Sequence, residues 1–235
     1  MGPAVRLLHD VAVAEPAPTA VIFDFDGVLV DSYRAVTGAI NAALLEHGLA
    51  AREPAELRHF IGPPTFTAFS ELTGEPPDSD AVAAIVATYR EHYASVYLST
   101  TTVFEGVEAM LDALSRRMPL ALATSKSVLF AQPLLDALGL DRYFAAVAAA
   151  AADDSDDDKT AIVGRALRAL DQPAAVMVGD RSFDIAAARA HGLPAIGVSW
   201  GIGSVEELRG AGAELIVEEP GELVALLDGE RLPGR

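Results

Sequence analysis

Six apolar runs, each about the length of a strand, recur along this sequence with helical patterns between them. "AVIFDF" (Ala20–Phe25) comes first, followed by "LALATS" (Leu120–Ser125) and "AAVAAA" (Ala145–Ala150). "AAVMVGD" (Ala174–Asp180), "AIGVSW" (Ala195–Trp200) and "ELIVE" (Glu214–Glu218) complete the series. Runs that are apolar on both faces belong to parallel strands covered by helices on either side. The stretches between them, such as "GVEAMLDALSRR", "VLFAQPLLDALG" and "KTAIVGRALRAL", carry helical periodicity. "FDIAAARAHG" and "SVEELRGAG" continue it, and several of these helices close on glycine, a frequent stop. Strand and helix in alternation predict an α/β fold built on a doubly wound parallel sheet.

One stretch breaks this rhythm. From about residue 32 to residue 103 the chain reads as helices without a strand, clearest in "YRAVTGAINAALLEHG", "PAELRHFIG" and "SDAVAAIVATYREHYASVYL". The expected organisation is an α/β core of residues 19–31 and 104–228, with a smaller helical domain of residues 32–103 inserted after the first strand. Residues 1–18 read as a flexible lead-in; Asp10, Glu15 and the prolines fit a signal peptide poorly. Residues 229–235 read as a loose end.

Composition narrows the function. Net charge is −17, from 34 acids against 17 bases, and an acidic surface repels both nucleic acid and anionic lipid. Neither is an expected partner. Cysteine is absent, which excludes disulfides, thiolate metal sites and thiol nucleophiles. No apolar stretch reaches the roughly 18 residues of a membrane helix. These features read as a cytoplasmic protein of undetermined oligomeric state.

In open parallel sheets, ligands bind beyond the carboxyl ends of the strands. Three polar clusters, distant in sequence, fall there. Asp24 and Asp26 close the first run in "FDFDGVLVDS", Thr124 and Ser125 close the second, and Asp180 closes the fourth with Asp184 a turn later. Carboxylates gathered at one rim repel one another unless a positive charge sits among them. An all-oxygen set suits a hard cation, and Mg²⁺ takes one or two carboxylates plus water and phosphate oxygens. Asp24 and Asp26 are tolerable at a strand end if they serve metal and substrate, with the second acid carrying a proton.

"DFDGVLVDS", "ATSK", a lysine at a helix start, and "GDRSFDI" followed by "GVSWGIGSVEEL" resemble the haloacid dehalogenase superfamily. The likeness runs from about Thr19 to Leu226 and is closest to the phosphoglycolate phosphatase-like and 5′-nucleotidase-like branch. It implies a Mg²⁺-dependent phosphatase acting on a small phosphorylated metabolite through an aspartyl-phosphate. Asp24 would be the nucleophile. Asp26 would protonate the leaving alcohol, then help water attack the phosphoenzyme. Thr124 and Ser125 would lie at the phosphoryl group with Lys159. Asp180 would bind the metal beside the Asp24 carboxylate and the Asp26 main-chain carbonyl, and Asp184 would orient Lys159 or the metal's waters. The insert would be a helical cap that opens for substrate and closes against water. In its loop "FIGPPTF" (Phe60–Phe66) and nearby, Arg58 and Thr65 would meet substrate. The acidic run Asp153–Asp158 departs from the family's pattern, which often carries a basic residue before this lysine.

Plainer roles account for other residues. Asp31 and Ser32 precede a helix and read as its N-cap. Asp153–Asp158 reads as a solvated loop and helix start. Trp200, Gly201 and Gly203 read as shaping a loop beyond a strand, and Tyr89, Tyr93 and Tyr97 as the core of the insert. His9, His47, His59, His92 and His191 show no ligand spacing. Three rival functions remain: a sugar phosphomutase using the same aspartyl-phosphate, a metal-free dehalogenase that would leave Asp26 and Asp180 unexplained, and a non-catalytic protein that binds phosphate esters.

Overall fold

The computed structural model describes residues 17–152 and 158–228. All six apolar runs become strands of one sheet: β1 (Ala20–Phe23), β4 (Leu120–Ser127), β5 (Ala146–Ala150), β6 (Ala175–Gly179), β7 (Ala195–Val198) and β8 (Leu215–Val217). Their spatial order is β5-β4-β1-β6-β7-β8 and every neighbouring pair is parallel. The first strand in sequence is therefore central, and the order reverses direction on either side of it. The rim of β1 lies at this switch point.

Helices α4 (Val107–Ser115), α5 (Val128–Leu138), α6 (Lys159–Ala169), α7 (Ser182–Ala190), α8 (Val205–Ala211) and α9 (Pro220–Leu227) cover the sheet. Successive strand residues point to opposite faces. Val21, Phe23, Leu120, Leu122, Val176 and Val178 join one core with α4 and α9. Ala20, Ile22, Ala121, Ala123, Ala175 and Met177 join the other with α6 and α7. The second face is rich in alanine, so its helices can lie close to the strands.

The helical insert holds α1 (Tyr33–Glu46), α2 (Thr65–Thr73) and α3 (Asp80–Thr100). Two expectations for this stretch need correction. "PAELRHFIG" forms a 3₁₀ segment, Pro54–Phe60, not an α-helix. The segment is also not free of strand: β3 (Thr102–Val103) closes it by pairing antiparallel with β2 (Val30–Asp31). Two residues carry no periodicity, so the sequence could not announce this ribbon. Tyr93 and Tyr97 are buried and stack at 5.3 Å between ring centroids. Residues 1–16, 153–157 and 229–235 lie outside the described residues, and so do the readings made of the lead-in, most of the acidic run and the loose end.

The central strand should be costly to disturb. Ile22 is fully buried in β1. Ile22→Ala should lower unfolding free energy by about 2–5 kcal/mol in urea denaturation. A loss under about 1 kcal/mol would contradict a sealed face beneath β1.

Candidate active site

Asp24 follows β1 directly, and its N–H donates to Val178 O at 3.0 Å, which fixes it at the rim between β1 and β6. The chain then turns back. Gly27 has φ +87°, and its N–H donates to Val30 O at 2.9 Å. That left-handed turn favours glycine. A side chain at Gly27 would also collide with the Asp180 carboxylate, as would one at Gly201. A side chain at Gly203 would strike the Asp180 main-chain oxygen. Three glycines from two loops thus box in the acid that follows β6. Trp200 anchors the second loop by donating its indole N–H to Val28 O at 3.0 Å, the loop-shaping role expected of it.

The structure brings the rim residues other than the fully buried Asp180 into one cavity. Asp24, Asp26, Thr124, Ser125, Lys159 and Asp184 all line it. Carboxylate oxygens of Asp24, Asp180 and Asp184 lie within 4.8 Å of one another. Lys159, the first residue of α6, is buried and donates to Asp24 Oδ1 at 2.5 Å and to Asp184 Oδ1 at 2.8 Å. The other oxygen of Asp184 accepts the Arg181 N–H at 3.0 Å, so Asp184 both starts its helix and orients the lysine. Thr124 is buried, and its Oγ1 accepts the Lys126 N–H at 3.1 Å. Asp158 caps α6, accepting from Ala161 N at 2.7 Å.

Asp26 belongs to a different set of contacts. Its Oδ2 pairs with Lys126 Nζ at 3.0 Å, and its Oδ1 accepts the Ser32 hydroxyl at 2.5 Å. Its carboxylate is not part of the three-acid cluster. The capping role expected of Ser32 is therefore corrected: the hydroxyl holds Asp26, and Asp31 accepts the Tyr33 N–H at 3.0 Å. The role of Arg58 is corrected too. It lies outside the cavity, where its guanidinium donates to Ile202 O at 2.6 Å and Gly201 O at 2.7 Å. It ties the insert to the core. Thr65 does line the cavity.

Sequence pattern assigns no role to Lys126 or Arg181. Both sit inside recognised motifs, "ATSK" and "GDRSFD", but only the fold shows what they touch. Arg181 reaches from the core to Ile61 O of the insert and pairs with Glu207 at 3.0 Å. Four described histidines have ordinary partners: His47 with Thr88, His59 with Glu71, His92 with Glu46, and His191 with Thr160 O. His9 lies outside the described residues.

The charge balance suggests a cation. Around Asp24, Asp26, Asp180 and Asp184 stand two lysines, with Arg181 committed to Glu207. Burial pushes the Asp24 carboxyl from 3.8 up to about 7, with Asp184 and Asp26 adding to the rise and Lys159 opposing it. Asp180 is raised well above its ordinary value by burial and then by Asp184 and Asp24. Burial pulls Lys159 down, but Asp184 and Asp24 outweigh it and keep it protonated. Asp180 Oδ2 accepts the Ile202 N–H at 2.7 Å, while its Oδ1 is buried with no hydrogen-bond partner. An all-oxygen donor set with excess negative charge and one orphaned oxygen fits a hard divalent cation.

Comparison with known proteins agrees with this chemistry. Residues 21–198 match the family described as haloacid dehalogenase-like hydrolase. A 5′-nucleotidase of Pseudomonas aeruginosa is 33% identical over 205 residues, covering 86% of this chain and 90% of that one. A phosphoglycolate phosphatase of Cupriavidus necator is 36% identical over 220 residues, covering 91% and 95%. The crystal structure of a predicted phosphatase from Clostridium acetobutylicum superposes with a TM-score of 0.84 at 32% identity, covering 89% of this chain and 97% of that one.

The raised carboxyls make a prediction about stability. The folded chain holds a proton on Asp24 up to about pH 7, whereas an ordinary carboxyl loses it near 3.8. The folded state therefore binds more protons across that interval, and stability falls as pH rises through it. With chelator, thermal melts should show a lower Tm at about pH 8 than at about pH 5, a loss on the order of a few kcal/mol. Millimolar Mg²⁺ should restore most of it at the higher pH. Equal melting temperatures under all conditions would contradict the charge deficit.

Proposed function

The chain belongs to the haloacid dehalogenase-like hydrolases and is a phosphoric monoester hydrolase, and from that premise we propose that it uses Mg²⁺ to hydrolyse a small phosphate monoester through an aspartyl-phosphate on Asp24. The observation that carries this reading is the separation of the two loop acids. Asp24 and Asp26 enter one cavity from one tight turn, yet each is held by its own buried lysine, Lys159 and Lys126. Neighbouring carboxylates in different surroundings can take different roles.

Asp24 is the nucleophile. Its carboxylate oxygen attacks phosphorus, the ester P–O bond breaks, and the leaving oxygen takes a proton from Asp26. Asp26, now ionised, accepts a proton from the water that attacks the phosphoenzyme. The P–O bond to Asp24 then breaks and inorganic phosphate leaves. Splitting the reaction this way replaces one difficult step with two easier ones. Lys159 and the Thr124 hydroxyl neutralise and orient the phosphoryl oxygens, the chief need in phosphoryl transfer. Ser125 lines the same cavity. Asp184 keeps Lys159 aimed at Asp24.

Asp24 and Asp180 would hold Mg²⁺ together with the Asp26 main-chain carbonyl, and Asp184 would complete the acidic ring. When bound, the ion would offset the negative charge of phosphate and carboxylates and keep Asp24 ionised at neutral pH. The insert contributes Phe60, Ile61, Thr65, Phe69 and Tyr89 to the cavity wall. As a cap, it would exclude water from the first step. Phosphoglycolate and nucleoside 5′-monophosphates are the substrate classes suggested by the relatives' names.

Phosphate release from phosphoglycolate, nucleoside monophosphates and sugar phosphates tests the reading. Turnover should need Mg²⁺, vanish with chelator, and fall at least about 10³-fold in Asp24→Asn. Release from none of the esters would sink it.

A further inference from the structure

Lys126 lines the same cavity, yet its ammonium is paired with Asp26 and Tyr93 and not with Asp24. Its ammonium is buried at the junction of core and insert, with a side chain 7% exposed. It donates to Asp26 Oδ2 at 3.0 Å and to the Tyr93 hydroxyl at 2.7 Å. Its Nζ also lies 4.7 Å from the centroid of the Tyr93 ring. Asp26 comes from the β1 loop and Lys126 from β4, while Tyr93 comes from α3 of the insert. One ammonium therefore joins three separate elements.

The two oxygens of Asp26 are held differently. Ser32, at the start of α1 and the root of the insert, holds Oδ1 at 2.5 Å. Oδ2 depends on Lys126, and Lys126 depends on Tyr93. Tyr93 is rigidly placed: it is 1% exposed, stacks with Tyr89 and Tyr97 at 5.8 and 5.3 Å, and meets Phe130 of α5 edge-on at 5.0 Å. Moving α3 away from α5 would remove the hydroxyl from Lys126 and free the ammonium to leave Asp26.

We propose that Lys126 and Tyr93 are positioning residues that aim the Asp26 carboxyl, so that the proton donor is set only while α3 is packed against the core. This rests on the phosphatase reading, in which Asp26 protonates the leaving oxygen. In that step the P–O ester bond breaks as the O–H bond forms, and the proton comes from Asp26. Neither Lys126 nor Tyr93 gives up a proton. A donor positioned this way would be assembled by cap closure, which couples proton delivery to the exclusion of water.

The test compares two esters that differ in their need for that proton. Phenyl phosphate releases a phenolate about as basic as that of tyrosine, and p-nitrophenyl phosphate releases a far weaker base. The readout is kcat/KM with Mg²⁺, which stops at the first irreversible step and is blind to phosphoenzyme hydrolysis. Lys126→Met should lower the phenyl ester by about 10–100-fold and the p-nitrophenyl ester by no more than about threefold, within the usual range of acid catalysis. Tyr93→Phe should shift the ratio in the same direction by less, and Lys126→Arg should restore part of it. Retained p-nitrophenyl turnover serves as the control for folding. Equal losses on both esters, or a rise in KM alone, would make Lys126 a substrate contact and overturn the proposal. An unchanged ratio in both Lys126→Met and Tyr93→Phe would overturn it as well. A parent enzyme that releases phosphate from neither ester would instead fail the phosphatase reading, and the proposal with it.

Discussion

A deficit of positive charge at one rim of a parallel sheet governs the rest of this structure. Asp24, Asp180 and Asp184 are buried with carboxylate oxygens within 4.8 Å of one another. Such a cluster is tolerable only when protons, ammonium groups or a cation offset it. Lys159 supplies one positive charge between Asp24 and Asp184, while burial, with the neighbouring acids adding to it, still raises the Asp24 and Asp180 carboxyls. A phosphate ester would worsen the imbalance and a divalent ion would relieve it.

Holding those acids so close requires backbone to pass within atomic contact of them. Gly27, Gly201 and Gly203 have no room for a side chain against Asp180, and Gly179 has none against Asp184. The packing of the strands supplies the remaining precision. Asp24 and Asp180 follow adjacent parallel strands, β1 beside β6, so their separation is set by the sheet and not by flexible loops. A site built on strand ends is stiff for that reason, and stiffness is what phosphoryl transfer demands of it.

Among the described residues, Arg58, Arg181 and Lys126 tie the insert to the core, running in both directions. Arg58 of the insert grips the carbonyls of Gly201 and Ile202, and the Ile202 N–H in turn holds Asp180. Arg181 and Lys126 of the core reach back to Ile61 O and the Tyr93 hydroxyl. Each tie ends one step from an active-site aspartate. The placement of the insert and the geometry of the acids are therefore linked physically, through hydrogen bonds that exist only when both halves are packed.

Much of this architecture is legible in the sequence. Runs that are apolar on both faces admit few folds, and their order alone places Asp24, Asp26, Thr124 and Asp180 at strand ends. The motif spacing also brings Lys159 and Asp184 to that rim. Local pattern could not reveal β2 and β3, whose two-residue strands carry no period, nor the 3₁₀ character of Pro54–Phe60. It also misjudges Arg58 and Ser32, since a side chain's partner 144 or 6 residues away is a matter of where the chain returns in space. The sequence by itself determined the fold class and the set of acids, through hydrophobic periodicity and residue type. Only the tertiary structure decided which acid pairs with which lysine, because those pairings, Asp24 with Lys159 and Asp26 with Lys126, join residues brought together by strand order and not by proximity along the chain.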